Sequence, residues 1–108
     1  MSDEVIIGTL AQIPPGEGRN FAVGSQRVAV FRSRDGRVFA TQSDCPHRRG
    51  CLSDGLLGGT TLICPLHERA FDLTTGAGVG HDDRLLTYPT RVTPDGFIGI
   101  RFGSHAAA

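Results

Sequence analysis

Two short segments of this chain pair metal-binding side chains. Cys45-Pro46-His47 and Cys64-Pro65-Leu66-His67 each set one cysteine beside one histidine, and sixteen residues separate His47 from Cys64. Thiolate is a soft ligand and imidazole a borderline one. Two of each can hold a tetrahedral zinc, or a two-iron cluster with both cysteines on one iron and both histidines on the other. Structural zinc sites usually draw like ligands from each arm, as two cysteines from one and two histidines from the other. The mixed arms here suit a cluster gripped from two opposed loops, each giving one ligand to each iron.

With their spacing, the two segments resemble the boxes of Rieske-type 2Fe-2S proteins, and the resemblance runs over about residues 28–102. It implies one [2Fe-2S] cluster per chain, with Cys45 and Cys64 on one iron and His47 and His67 on the other. Because the histidines are neutral, two ferric ions, two sulfides and two thiolates sum to zero charge. A four-cysteine cluster is more negative, so an added electron costs less here. The centre is coordinatively closed and offers no open position to a substrate. The chemistry expected is single-electron transfer, with no substrate site on the chain. In high-potential relatives, a Ser and a Tyr after the second box donate hydrogen bonds to cluster sulfurs. Arg69 and Phe71 stand in those places here, which sets the expected potential near the low Rieske end, at about −150 mV.

Holding such ligands requires a stiff scaffold, and the sequence reads as strands. Residues 5–7 are a β-branched run, and 8–18, with Pro14, Pro15 and Gly16, read as turn or irregular chain. Residues 21–23 and 27–32 are strand candidates around Gly24-Ser25. The clearest hairpin sets 28–32 against 37–41 across Arg34-Asp35-Gly36, since Asp-Gly suits a tight turn with positive φ. Alternation of Val28, Val30 and Arg32 with Ala29 and Phe31 gives that strand two unlike faces. Residues 42–71 are rich in turn formers, with one strand at 61–63. Pro46 and Pro65 each follow a ligand cysteine and stiffen its loop, while Leu52, Leu56 and Leu57 are candidates to pack over the site. Residues 78–83 read as loop, and 88–93 and 97–102 as two last strands joined through Pro94-Asp95-Gly96. His81 and His105 lack a second ligand at short spacing and are expected to be solvent-exposed. No stretch has the period of a sizeable helix. The fold expected is all-β, a small antiparallel β-sandwich or barrel. The Rieske resemblance adds an inserted cluster-binding lobe at about 42–71.

At 108 residues the chain is long enough for one compact domain, residues 1–108, and too short for two with real cores. Eleven Lys and Arg balance eleven Asp and Glu, so no global field draws it to nucleic acid or anionic lipid. It has no long apolar run and no signal-like amino end, which makes the cytoplasm the expected compartment. Of three cysteines, Cys51 is left without a partner for a disulfide. Respiratory-complex Rieske proteins carry an extra Cys in each box and a membrane helix. Leu66 stands where one of those cysteines would be and Cys51 falls one residue late for the other, so Cys51 reads as a loop-packing residue. Arg48, Arg49, Glu68 and Arg69 follow the histidines, either as a ring where a redox partner lands or as a solvated loop face.

Cys45-Pro46-His47-Arg48 with Leu52-Ser53-Asp54-Gly55, and Cys64-Pro65-Leu66-His67 with Phe71-Asp72-Leu73, resemble the small subunit of assimilatory NAD(P)H-dependent nitrite reductase. That subunit works in nitrate assimilation with a large flavin- and siroheme-bearing chain that reduces nitrite to ammonia. Arg49 and Cys51 depart from it, standing where Gly and Pro are more usual. The alternative is the Rieske ferredoxin of an aromatic-ring-hydroxylating dioxygenase, whose partners are a ferredoxin reductase and an oxygenase. A non-redox zinc module is a third reading.

Overall fold

The computed structural model describes residues 4–23, 26–44, 51–64 and 69–101. In chain order the strands are β1 (Glu4–Thr9), β2 (Glu17–Val23), β3 (Gln26–Arg32), β4 (Val38–Gln42), β5 (Leu56–Gly58), β6 (Thr61–Ile63), β7 (Ala70–Asp72), β8 (Gly78–Val79), β9 (Thr87–Tyr88), β10 (Thr90–Val92) and β11 (Phe97–Arg101). Among the described residues all strand pairings are antiparallel, in three sheets ordered β1-β11-β10, β2-β3-β4-β9 and β5-β6-β7-β8. Among the described residues, two three-residue 3-10 turns, Leu10–Gln12 and Leu52–Asp54, are the helical structure. None of it is long and apolar enough to cross a membrane.

β3 is the hinge of the architecture, because residues 28–31 are all fully buried. Val28 and Val30 face one core with Ile13, Val38, Ala40, Tyr88, Ile98 and Ile100. Ala29 and Phe31 point the other way, into a second core with Leu52, Leu62, Cys64, Phe71, Leu73 and Leu85. The two unlike faces of this strand are therefore two different apolar cores, and β2-β3-β4-β9 is the middle layer between the three-stranded sheet and the lobe. Period-two alternation sorts the side chains between the layers.

The expected hairpin closes β3 on β4, with Val30 opposite Ala40 and Arg32 opposite Val38. Gly36 sits at φ 93° in its turn, and Gly96 at φ 88° in the turn before β11, a left-handed geometry that side-chain-bearing residues avoid. Three expectations change in detail. β2 begins at Glu17 rather than 21, because its pairing with β3 continues to Arg32. Residues 88–93 divide at Pro89: β9 pairs with β4, and β10 pairs with β11. Pro89 has no N–H to extend a ladder, so the chain passes there from one sheet to the other. Residues 78–83 are not all loop, since Gly78–Val79 adds an edge strand to the lobe.

Candidate metal centre

Of the four expected ligands, Cys64 lies within the described residues. Cys45, His47 and His67 lie outside them, as do Pro46, Arg48, Arg49, Pro65, Glu68 and His105. The structure shows how both ligand-bearing segments are tied at their bases. The first leaves β4 through Asp44, which bridges antiparallel to Cys51, and the Leu52 N–H donates to the Ser43 carbonyl at 3.0 Å. The second leaves β6 at Cys64, whose N–H donates to the Arg69 carbonyl at 2.7 Å. The described residues flanking 45–50 and 65–68 thus pair with each other.

Both stems rest on one core. Leu52 and Cys64 are buried in the same apolar cluster, Cys64 at 1% exposure. Gly55 brings the two segments together, because a Cβ there would lie 2.5 Å from the Ile63 carbonyl and 3.1 Å from that of Leu52. Only glycine permits that approach. Cys64 therefore has a fixed backbone and apolar neighbours, a setting in which a thiolate is acceptable when a metal takes up its charge. The donor chemistry of the two boxes fits a cluster with two sulfur and two nitrogen ligands.

Around the second stem, Arg69 forms an ion pair with Asp83 at 3.2 Å, with its side chain 30% exposed. It is a paired stem residue more than a free member of a charged ring. Phe71 is fully buried and has no hydroxyl to donate to a sulfur. Asp72, closing β7, accepts from the Thr74 hydroxyl at 2.7 Å and the Thr74 N–H at 2.9 Å. These bonds, the hydroxyl first, hold its carboxyl below the ordinary 3.8. Cys51 fits its expected packing role: its sulfur accepts from Asn20 Nδ2 at 3.1 Å and lies 3.2 Å from Ser53 Oγ.

Two expectations are overturned. Leu56 does not cover the site but is 73% exposed. In a three-residue strand Leu57 takes the core-facing place, and its neighbour must point outward. His81 is not solvent-exposed. Its ring meets Phe71 edge-on at 5.0 Å, Nε2 lies 2.9 Å from the Ala70 carbonyl, and the Asp83 N–H donates to Nδ1 at 3.2 Å. The sequence gives little sign of this, because the contact joins residues eleven apart across a glycine-rich turn.

The antiparallel layers and the hydrogen-bonded stems define a β scaffold flanking the two Cys/His segments. The chain belongs to the Rieske [2Fe-2S] domain family, whose model matches residues 3–89 and so reaches further toward the amino end than the boxes alone indicate. It is 32% identical over 85 residues to the ferredoxin component of a naphthalene 1,2-dioxygenase system from Pseudomonas aeruginosa, covering 77% of this chain and 81% of that one. It is 35% identical over 99 residues to the nitrite reductase [NAD(P)H] of Emericella nidulans, covering 82% of this chain and 9% of that protein. Among solved structures it superposes with a TM-score of 0.85 on a small subunit assigned to an NADH-dependent nitrite reductase of Mycobacterium tuberculosis. That pair is 26% identical over 94% of this chain and 96% of the other. The cofactor of the domain is a Rieske [2Fe-2S] cluster, and its chemistry is electron transfer between redox proteins.

Proposed function

We propose that Cys45, His47, Cys64 and His67 hold the cluster, and that the chain is the small subunit of an NAD(P)H-dependent nitrite reductase in the cytoplasm. Residues 1–108 act as one domain, and the partner is a large chain bearing flavin and siroheme. The cluster supplies one-electron exchange. The protein supplies rigid stems, an apolar core beneath Cys64, and a surface on which the large chain seats.

The observation that carries this reading is an apolar row across the outer face of the lobe. Leu56 lies opposite Ile63, Ile63 opposite Ala70, and Ala70 opposite Val79. Leu56, Ile63 and Val79 are 73%, 37% and 53% exposed. Ile63 directly precedes Cys64 and Ala70 directly follows Arg69, so the row borders the second ligand segment. Transient redox encounters are small and no more apolar than the rest of the surface, whereas lasting subunit contacts are larger and more apolar. The match to nitrite reductase over most of the chain supports the same reading. A second reading, a diffusible ferredoxin for a ring-hydroxylating dioxygenase, is supported by the match over 81% of the naphthalene dioxygenase ferredoxin.

Gentle purification of the tagged chain from its native cells, with mass spectrometry of what accompanies it, separates the two. A flavin and siroheme chain bears out the first reading. An oxygenase or ferredoxin reductase overturns it in favour of the second. For the ligand set, replacing His47 with Cys makes the cluster more negative and lowers its midpoint potential. An unchanged midpoint in a variant that keeps its cluster would remove His47 from the ligands.

A further inference from the structure

The neutral His81 ring is held in one tautomer by the groups around it. The backbone N–H of Asp83 can only donate, so Nδ1 must accept, and the proton of the neutral ring is then on Nε2. That proton points at the Ala70 carbonyl 2.9 Å away. Asp83 Oδ2 also approaches Nδ1, but at 3.9 Å it is too distant to compete with the 3.2 Å bond from the backbone. The side chain is 14% exposed, with the Phe71 ring against one side and the bare Cα of Gly78 against the ring edge. A Cβ at Gly78 would overlap the imidazole, so Gly78 leaves the room that His81 fills.

The carbonyl that His81 grips is at a sensitive place. The second ligand segment returns to the sheet through Arg69 and Ala70, and two consecutive carbonyls on that return are held from different directions. Cys64 N–H takes the Arg69 carbonyl, and His81 takes that of Ala70. The Arg69 side chain is tied to Asp83, the same residue that fixes the imidazole. His81 and Asp83 therefore brace Arg69 and Ala70, the described residues that follow the segment holding His67.

We propose that His81 is a positioning residue for the cluster, fixing the second ligand segment through the hydrogen bond from Nε2–H to the Ala70 carbonyl. The inference rests on the assignment of Cys64 and His67 as ligands. Orientation of a ligand by hydrogen bonds outside the metal shell tunes both affinity and potential.

The two ring nitrogens can be tested apart, because Gln places its amide nitrogen near the position of Nε2 and Asn places its amide oxygen near that of Nδ1. The holoprotein and its His81→Gln, His81→Asn and His81→Phe variants are compared by EPR of the reduced cluster, midpoint potential, and the rate of cluster loss to a chelator. Nitrogen coupling in the wild-type spectrum is established first, and its absence would defeat the ligand assignment rather than the role of His81. With Asn and Phe, cluster loss is expected to run about tenfold faster, as for one lost hydrogen bond, with shifted g-values and midpoint. Gln is expected to stay within about twofold of wild type with unchanged g-values. The proposal is overturned if Asn matches wild type, if Gln is as impaired as Phe, or if every variant melts earlier with EPR and midpoint unchanged. Should Asn and Phe fail to retain a cluster, recovery by Gln still decides it.

Discussion

The two cores on either side of β3 are built differently. On one side, β1, β2, β3, β4 and β11, of five to seven residues each, with the short β9 and β10 at sheet edges, enclose Ile13, Val28, Val30, Ile98 and Ile100, all fully buried. Across this base, Arg91 joins Glu4 by two bonds of 2.7 and 3.0 Å, linking the strands that flank β11. On the other side, β5, β6 and β7 have three residues each and β8 has two. Strands that short give few ladder bonds per turn of chain, and small sheets of this kind depend on the surface they pack against. The lobe is held by a core that includes Phe31, Leu62 and Phe71 and by the hydrogen-bonded stems beside the two Cys/His segments. Stability in the base is expected to come from its sheets, and that of the lobe to be linked to the metal.

That contrast is broken most severely at Cys64. Cys64→Ala is expected to abolish the cluster absorbance completely while the β-sheet circular dichroism of the base persists. Loss of both together would make the base as metal-dependent as the lobe. A paired truncation sharpens the point. Leu62→Ala and Ile98→Ala each remove a fully buried side chain, at about 2–5 kcal/mol. For Leu62 the cost is expected as faster cluster release below the unfolding midpoint. For Ile98 it is expected as a lower global midpoint, with cluster release following unfolding. Equal behaviour of the two variants in chelator and denaturant titrations would dissolve the distinction.

Acid gives a smaller effect that touches both regions. Asp35 in the base hairpin is held below the ordinary 3.8, first by the Ser33 hydroxyl, and Asp72 in the lobe is lowered by Thr74. A depressed folded pKa contributes stability that is complete above the unfolded value and is lost as pH falls through the folded one. Both contributions are therefore present at neutral pH and disappear below about 3.8. Asp35 is exposed and Asp72 partly so, which keeps the effect screened and modest. The smallest change is Thr74→Val, which removes the leading donor to Asp72. NMR titration should show the Asp72 pKa rising toward 3.8 with Asp35 unmoved.

The base was the more legible half in the sequence. Asp35-Gly36 and Asp95-Gly96 announce their hairpins, and the alternation in β3 announces two faces, because these signals are local. The two Cys/His segments that mark the Rieske family were legible for the same reason, since residue type and spacing are written in a few adjacent residues. What depends on distant partners was not. Leu56 and Leu57 look alike until the register of β5 against β6 sends one outward and the other in. His81 reads as a loop histidine until β8 folds back and brings it to Ala70. Residues 88–93 read as one strand, because the passage at Pro89 from one sheet to another follows from which edges are free to pair.

The most direct test of the central claim is pulsed EPR on the reduced holoprotein, with histidine labelled by 15N and iron counted on the same sample. Two iron atoms per chain and two distinct histidine nitrogens coupled to a single unpaired spin are the result this account predicts. One zinc per chain with no EPR signal, or a cluster spectrum without histidine coupling, would contradict it.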